Sequence, residues 1–340
     1  MSTINRRHAV KTLALGAVLG TSGLRPAWAQ SRIKVTQAVS SLAYVQSFVA
    51  QQRGLFKAEG LEAELVNTGG GGPDVQIVLA GHAEFTVNDG AQVLPALQQG
   101  QKLQCVMALL NKSIVNVTMR KQVADKLGVS ASMPVAERVR RMKGLRIGVT
   151  RPGSLTWQMA RYNFITAGMD PDKDAEITGM GDAPSLAAAL RRGNLDVIYI
   201  SVPIGETLVS QGAAITLLDN SSGDDPSLPS FLMEGLWATP DFIRKNRELV
   251  AKTVRAYRNA SAYLVQSTPE EAAKTLKPVF TGLDDDVLLE GVRRVKQAVS
   301  PTGIVDAALM DNTQKVLELN GVLKKRMSLA EMFDPSFLKA

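Results

Sequence analysis

Leu79-Ala80-Gly81-His82-Ala83-Glu84-Phe85-Thr86-Val87 and Leu190-Arg191-Arg192-Gly193-Asn194-Leu195-Asp196-Val197-Ile198 are the two stretches on which the fold turns. Each reads as a helix end, a glycine stop, and an acid leading into an apolar run suited to a strand. The acid stands three residues after the glycine in both. The glycines lie 112 residues apart, while Ile33 and Ile147, each in the first strand of its set, lie 114 apart. Two echoes at nearly one offset predict two lobes of similar topology.

Working outward, short apolar runs alternate with helical patterns, which predicts an α/β fold of parallel sheets covered by helices. The expected strands of the first set are Ile33–Ala38, Leu61–Asn67, Phe85–Asn88 and Leu103–Leu110. Those of the second are Leu145–Val149, Ala175–Gly179, Val197–Ile200 and Ala214–Leu218. Val115–Arg120 and Phe231–Ala238 read as the links between sets. Everything after them is helical, with Thr239-Pro240-Asp241 and Thr268-Pro269-Glu270-Glu271 each placing a capping threonine before a proline at the first helical position. A helical tail without its own sheet must return to cover the first lobe. The expected division is residues 30–112 with 240–340 as lobe one and 113–239 as lobe two, joined by two crossing segments.

Residues 1–29 read as an export signal. Arg6, Arg7 and Lys11 precede a short apolar stretch, and Ala27-Trp28-Ala29 is a small-x-small cleavage site, giving a mature start near Gln30. The paired arginines point to the twin-arginine route, with an ordinary secretion signal as the alternative. A soluble periplasmic protein follows, without a lipid anchor, because the one cysteine, Cys105, lies far from the cleavage site. That cysteine is expected to be a buried, inert thiol. The formal charge of +7 loses Arg6, Arg7, Lys11 and Arg25 with the signal, leaving 35 basic against 32 acidic side chains. Such a balance gives no electrostatic case for nucleic acid. The cluster Arg138, Arg140, Arg141, Lys143 and Arg146 has no interleaved aromatics and reads as a solvated helix face.

Ligands of open parallel sheets sit at the carboxyl ends of the strands. In lobe one those ends carry Ser40, Ser41, Tyr44, Gly70, Gly71, Asn88 and Asp89; in lobe two, Arg151, Ser154, Thr156 and Ser201. Small hydroxyl, amide and glycine residues leave backbone N–H groups accessible, and helix N-termini add partial positive charge, which suits a small polar or anionic ligand. The glycines 69–72 are neither a phosphate loop, since no Gly-Lys-Ser/Thr follows, nor a dinucleotide fingerprint, since Asp74 replaces the third glycine. They are a flexible turn or a ligand-touching loop. Arg151 is a solvated loop arginine or a ligand contact, and Tyr44 and Trp157 are packing residues or ligand contacts. His82, the one histidine left after the signal, falls at the opposite end of the sheet. Histidine-based triads and metal clusters are therefore not expected, nor is a cofactor.

Gln51-Gln52-Arg53-Gly54-Leu55-Phe56-Lys57-Ala58-Glu59-Gly60-Leu61, the glycine turn before Pro73, Leu79–Val87, Gly144–Val149, Leu190–Ile200 and Asn320-Gly321-Val322-Leu323 follow one another in order. Together they resemble the solute-binding proteins of ABC importers in the nitrate, taurine and aliphatic-sulfonate group, which includes binders of the thiamine pyrimidine precursor. The resemblance implies a two-lobed periplasmic-binding-protein fold of type II that closes like a clamp. It also places Ser40, Ser41, Gly70, Gly71, Asn88, Asp89, Ser154, Thr156 and Ser201 in cleft-lining segments. It implies a monomer that captures a small solute, expected here to be an anionic sulfonate or carboxylate, and passes it to a membrane permease, with no catalysis. The other readings are a periplasmic enzyme on the same fold, for which Asp89 and Asp182 are the available acids, and a ligand sensor for a membrane receptor.

Overall fold

The computed structural model describes residues 31–338. The export signal, its twin-arginine pair and the start at Gln30 lie outside them. Among the described residues, ten strands form two five-stranded sheets. They are β1 (Ser31–Gln37), β2 (Leu61–Asn67), β3 (Phe85–Asn88), β4 (Gln104–Leu110), β5 (Val115–Arg120), β6 (Arg146–Val149), β7 (Glu176–Gly179), β8 (Val197–Ser201), β9 (Ala214–Leu218) and β10 (Glu234–Ala238). The first sheet runs β2-β1-β3-β10-β4 and the second β7-β6-β8-β5-β9. Both place the second strand of the set outermost, then the first, the third, a crossing strand and the fourth. This is the two-lobed arrangement with two crossing segments.

Two expectations need correction. The sheets are mixed, not parallel: β10 runs antiparallel to β3 and β4, and β5 antiparallel to β8 and β9. The cause is geometric. A chain leaving the carboxyl end of β4 enters the second sheet at the edge where its strands also end, so it must run against them. β10 returns the same way. Its pairing puts it in the first sheet, so the run Phe231–Ala238, expected as a link, supplies a strand of that sheet.

Register also sharpens the internal repeat. β1 pairs Val35 with Phe85, and β6 pairs Ile147 with Val197. The equivalent of Ile147 is therefore Val35, not Ile33, and the offset becomes 112 throughout.

The tail covers the first sheet. Helix Arg247–Gln266 buries Val250, Val254, Tyr257, Ser261 and Leu264 at the helical spacing that faces one side. Tyr257 packs edge-on to Phe56 at 5.5 Å, and its hydroxyl is 2.9 Å from Ser47 Oγ. Fully burying such side chains contributes about 1.5–3 kcal/mol each. Thr268 closes a capping box with Glu271. Two further helices reach the second lobe as well. Arg294 of Asp285–Ala298 pairs with Glu206, and Asn320, just after Ala307–Leu319, donates to the Gln158 carbonyl at 3.0 Å. No helix among the described residues is long and apolar enough to cross a membrane.

Of the basic cluster, Arg140, Arg141 and Lys143 lie exposed and Arg146 half-buried, and Arg138 alone of the five turns inward. Arg138 is buried and grips Asp224 with both terminal nitrogens, at 2.6 and 2.8 Å. Arg146 pairs with Asp196, Lys143 with Asp174, and Arg140 donates to the Ala167 carbonyl. Cys105 is fully buried, and burial pushes its thiol up to about 12.

Candidate functional site

The carboxyl ends of β1, β2 and β3 and the first residue of β10 build one wall. Ser40 Oγ accepts from Asn67 Nδ2 at 3.0 Å, and Ser41 caps the short turn Leu42–Tyr44. That turn delivers Tyr44, whose ring is buried. Gly70 and Gly71 open helix Gly71–Leu79, and Thr68 donates to Asp74 Oδ1 at 2.5 Å beneath them. Asn88 is buried, with its carbonyl accepting from Trp237 Nε1 at 3.0 Å. Asp89 caps helix Gly90–Gln98 by accepting from the Gln92 N–H at 2.8 Å.

The carboxyl ends of β6 and β8 build the facing wall. Ser154 caps helix Leu155–Thr166, and its hydroxyl meets those of Thr150 and Thr156 at 2.9 Å. Thr156 in turn accepts from the Thr150 N–H at 3.0 Å. These hydroxyls are largely engaged with one another. Ser201 is the last residue of β8 and half-buried. Trp157 is half-buried under the Arg161 guanidinium, which sits 4.7 Å from its ring. Its role there is packing.

Arg151 joins the walls. It is exposed, and its guanidinium lies so close to Gly70 that an added Cβ there would stand 3.1 Å from Nη2. A side chain there would need the flexible guanidinium to give by a few tenths of an ångström, and φ of 171° is ordinary extended chain. The two walls are thus within side-chain reach.

Beside Asp89, which the sequence reading named, the first wall holds two buried acids that it missed. Glu234 is 2% exposed and its Oε2 has no hydrogen-bond partner. Asp74 is fully buried and its Oδ2 is likewise unpartnered. Antiparallel pairing of Gly235 with Asn88 sets Glu234 beside Asp89. None of the three acids forms an ion pair among the described residues. Burial pushes the Asp74 carboxyl up to about 7, against the Thr68 hydrogen bond. Burial does the same to Asp89, also to about 7, with the Gln92 and Ala91 N–H groups opposing and the charge of Asp74 adding. Glu234 is raised well above the usual carboxylate range by burial, then by Asp89 and Asp74. Tyr44 is raised by burial and then by Glu234. The available signal was small: an acid in the middle of the otherwise apolar run Phe231–Ala238, and an acid four residues after Gly70.

Asp182 behaves differently. It caps Ala183–Arg191, lies exposed, and is held below the usual range by hydrogen bonds from Ser185. His82 is exposed in the turn before β3, at the edge away from these walls. No grouping of three or more metal-ligating side chains occurs among the described residues.

Comparison with known proteins places this geometry in context. The family described as NMT1/THI5 like matches residues 43–272. YtlA of Bacillus subtilis is 20% identical over 301 residues, covering 87% of this chain and 86% of that protein. The periplasmic aliphatic sulphonate binding protein SsuA of Escherichia coli superposes with a TM-score of 0.69 at 17% identity, over 90% of this chain and 92% of that one. The desulfurization enzyme DSZB superposes with a TM-score of 0.65, also at 17% identity, over 91% and 97% of the two chains. One fold therefore serves both binding and catalysis among these structures.

Proposed function

The chain belongs to the NMT1/THI5-like family, and from that premise we propose that it is the periplasmic solute-binding component of an ABC importer. It is exported by residues 1–29, captures a small polar solute between its lobes, and presents the closed form to a membrane permease as a monomer without catalysing a reaction. The observation that carries this reading is the approach of Arg151 on one wall to Gly70 on the other. It leaves the strand-end loops of both sheets on a single cleft.

The lobes proposed to move are residues 30–112 with the helical tail, and the second sheet with its helices. β10 goes with the first lobe because it pairs there. A ligand sensor would use the same closure, and an enzyme would use Asp89, whose carboxyl near 7 is in the range of a general base. Turnover screening of purified protein separates the last of these.

The sequence expectation of an anionic sulfonate or carboxylate has Arg151 in its favour. Against it stand Asp74, Asp89 and Glu234 on the facing wall. Arg151→Ala should cost an anionic solute about 1.5–3 kcal/mol, tenfold or more in affinity. A solute held by the other wall should bind that variant within about threefold of the parent. Titration calorimetry with the identified solute reads the difference. Small-angle scattering tests capture itself, since a saturating solute should reduce the radius of gyration. Clear binding with an unchanged radius would remove the clamp.

A further inference from the structure

We infer that the solute is a nitrogen base bound as a cation, a protonated amine or amidine group received by the carboxyls of Glu234 and Asp89, with Asp74 behind them. The inference rests on the capture reading above and supplies its substrate class.

The first support is a contrast within the molecule. Other buried acids have partners: Asp196 pairs with Arg120 and Arg146, Glu206 with Arg294, and Asp225 accepts from Asn163 and from the Ser227 N–H and hydroxyl. Glu234 and Asp74 have no cationic partner among the described residues, and Glu234 Oε2 and Asp74 Oδ2 accept no hydrogen bond; Glu206 Oε2 also accepts none, but its carboxyl is paired with Arg294. An unsatisfied buried carboxyl is costly, and removing a cationic partner from such a group is among the more destabilising changes known. A wall that keeps two of them beside a third acid is complementary to a cation that arrives from outside.

The second support is position. Register sets Glu234 beside Asp89, at the strand ends. Asp74 reaches the same wall from the next helix, where its carbonyl accepts from Thr36 of β1. The donors required are N–H groups spread over an organic cation, because these acids do not form a metal-ready group. Tyr44 closes the side of the wall with a buried ring, and Arg151 reaches Gly70 from across the cleft.

The charged groups bearing on Glu234 and Asp89 are each other and Asp74, with Tyr44 beside them. Binding a cation requires these carboxyls to be ionised. Asp89, titrating near 7, is about nine-tenths ionised at pH 8 and about one-tenth at pH 6, so affinity for a cation should rise about tenfold over that interval on its account, and Glu234, raised by burial, adds in the same direction. An anion would show the opposite trend.

The test uses the mature protein and probes of matched size: benzamidine and butylamine as cations, benzamide as the neutral control, benzoate and butanesulfonate as anions. Thermal shift and calorimetry at pH 6 and 8 should register the cations, more tightly at pH 8. Glu234→Gln and Asp89→Asn should each weaken them at least tenfold. Anions that bind better than the cations, or cations that bind Glu234→Gln as tightly as the parent, overturn the inference and leave capture standing. A bound probe of either charge without a change in radius fails the capture reading instead. The ligand-free variant gives a further readout. Glu234→Gln should melt higher than the parent at pH 8, because a buried carboxyl without a cationic partner is replaced by a group that never carries charge. A lower or equal melting temperature marks Glu234 as structural and overturns the inference.

Discussion

Glu234 and Asp89 differ in how far the sequence discloses them. Asp89 follows Phe85–Asn88, whose alternation and preceding glycine mark a strand, so its place at a strand end is readable. Ser154 and Thr156 are readable for the same reason after Arg146–Val149. Glu234 is not, because Phe231–Ala238 reads as a link and nothing local says which sheet it joins. Asp74 is visible only as a departure from a dinucleotide pattern. Their environment, set by elements distant in the chain, is what gives them their chemistry. It also gives a stability signature whose sign can be worked out. Asp74 and Asp89 titrate near 7 in the folded ligand-free chain and near 4 when unfolded. Between those values the folded state holds more protons, so stability is greatest below about 4 in respect of these groups and is lost as pH rises toward 7. Asp196 and Asp224, held below their usual range, act in the opposite sense only under more acidic conditions. Differential scanning calorimetry should therefore find the ligand-free protein melting several degrees lower at pH 7.5 than at pH 5.5, by about 2–4 °C for each kcal/mol lost. Asp89→Asn should flatten that slope, and a slope unchanged in the variant would detach it from this wall.

Helix Asp285–Ala298 is one of two helices that join the two halves. Its Arg294 reaches Glu206, Asp219 and Glu290, of which the first two belong to the second lobe. Glu206 is buried and also accepts from Asn116 Nδ2 at 3.2 Å, so its charge depends on that arginine. Burial raises the Glu206 carboxyl while Arg294 and Asn116 lower it. Arg294→Ala leaves the glutamate buried without its cation, which should cost about 3–5 kcal/mol. Denaturant melts of the variant at pH 8 would measure it. Arg294→Lys should recover part of the loss, and a variant as stable as the parent would show the pair to be ornamental. The sequence gives this helix its apolar stripe of Leu288, Val292 and Val295, and hence its existence. Its cross-lobe pairing is not legible, because Arg294, Glu206 and Asp219 lie far apart along the chain. The same limit applies to β5 and β10. Both runs are visible as apolar segments, but the antiparallel insertion of each into a sheet follows from the direction of the crossing, which local pattern does not encode.

At the scale of the molecule, a clamp works only if its two halves can separate and if one contact surface does not lock them. The internal repeat makes the halves alike, and the two crossings at residues 111–114 and within 219–233 tie them at one edge. Gly291 sits where all parts meet. An added Cβ there would stand 2.7 Å from Leu42 of the first lobe and 2.8 Å from Pro203 of the second. Both distances are below what real contacts allow, so a larger side chain must push at least one neighbour away. Leu42 is itself fully buried beside Tyr44, which leaves little freedom on that side. Gly291→Leu should therefore act as a wedge that disfavours the closed arrangement while the helix itself persists. A solute binds the closed form by differential affinity, and shifting a two-state equilibrium from 1:99 to 99:1 takes about 10⁴-fold, or roughly 5.5 kcal/mol. A wedge that takes even about 1.4 kcal/mol from the closed state should weaken binding tenfold. The expected result is a solute-saturated variant with a larger radius of gyration than the saturated parent, unchanged circular dichroism, and affinity lowered by about an order of magnitude. If Gly291→Leu binds as tightly as the parent and closes to the same radius, the pivot lies elsewhere and the residue is merely a packing glycine.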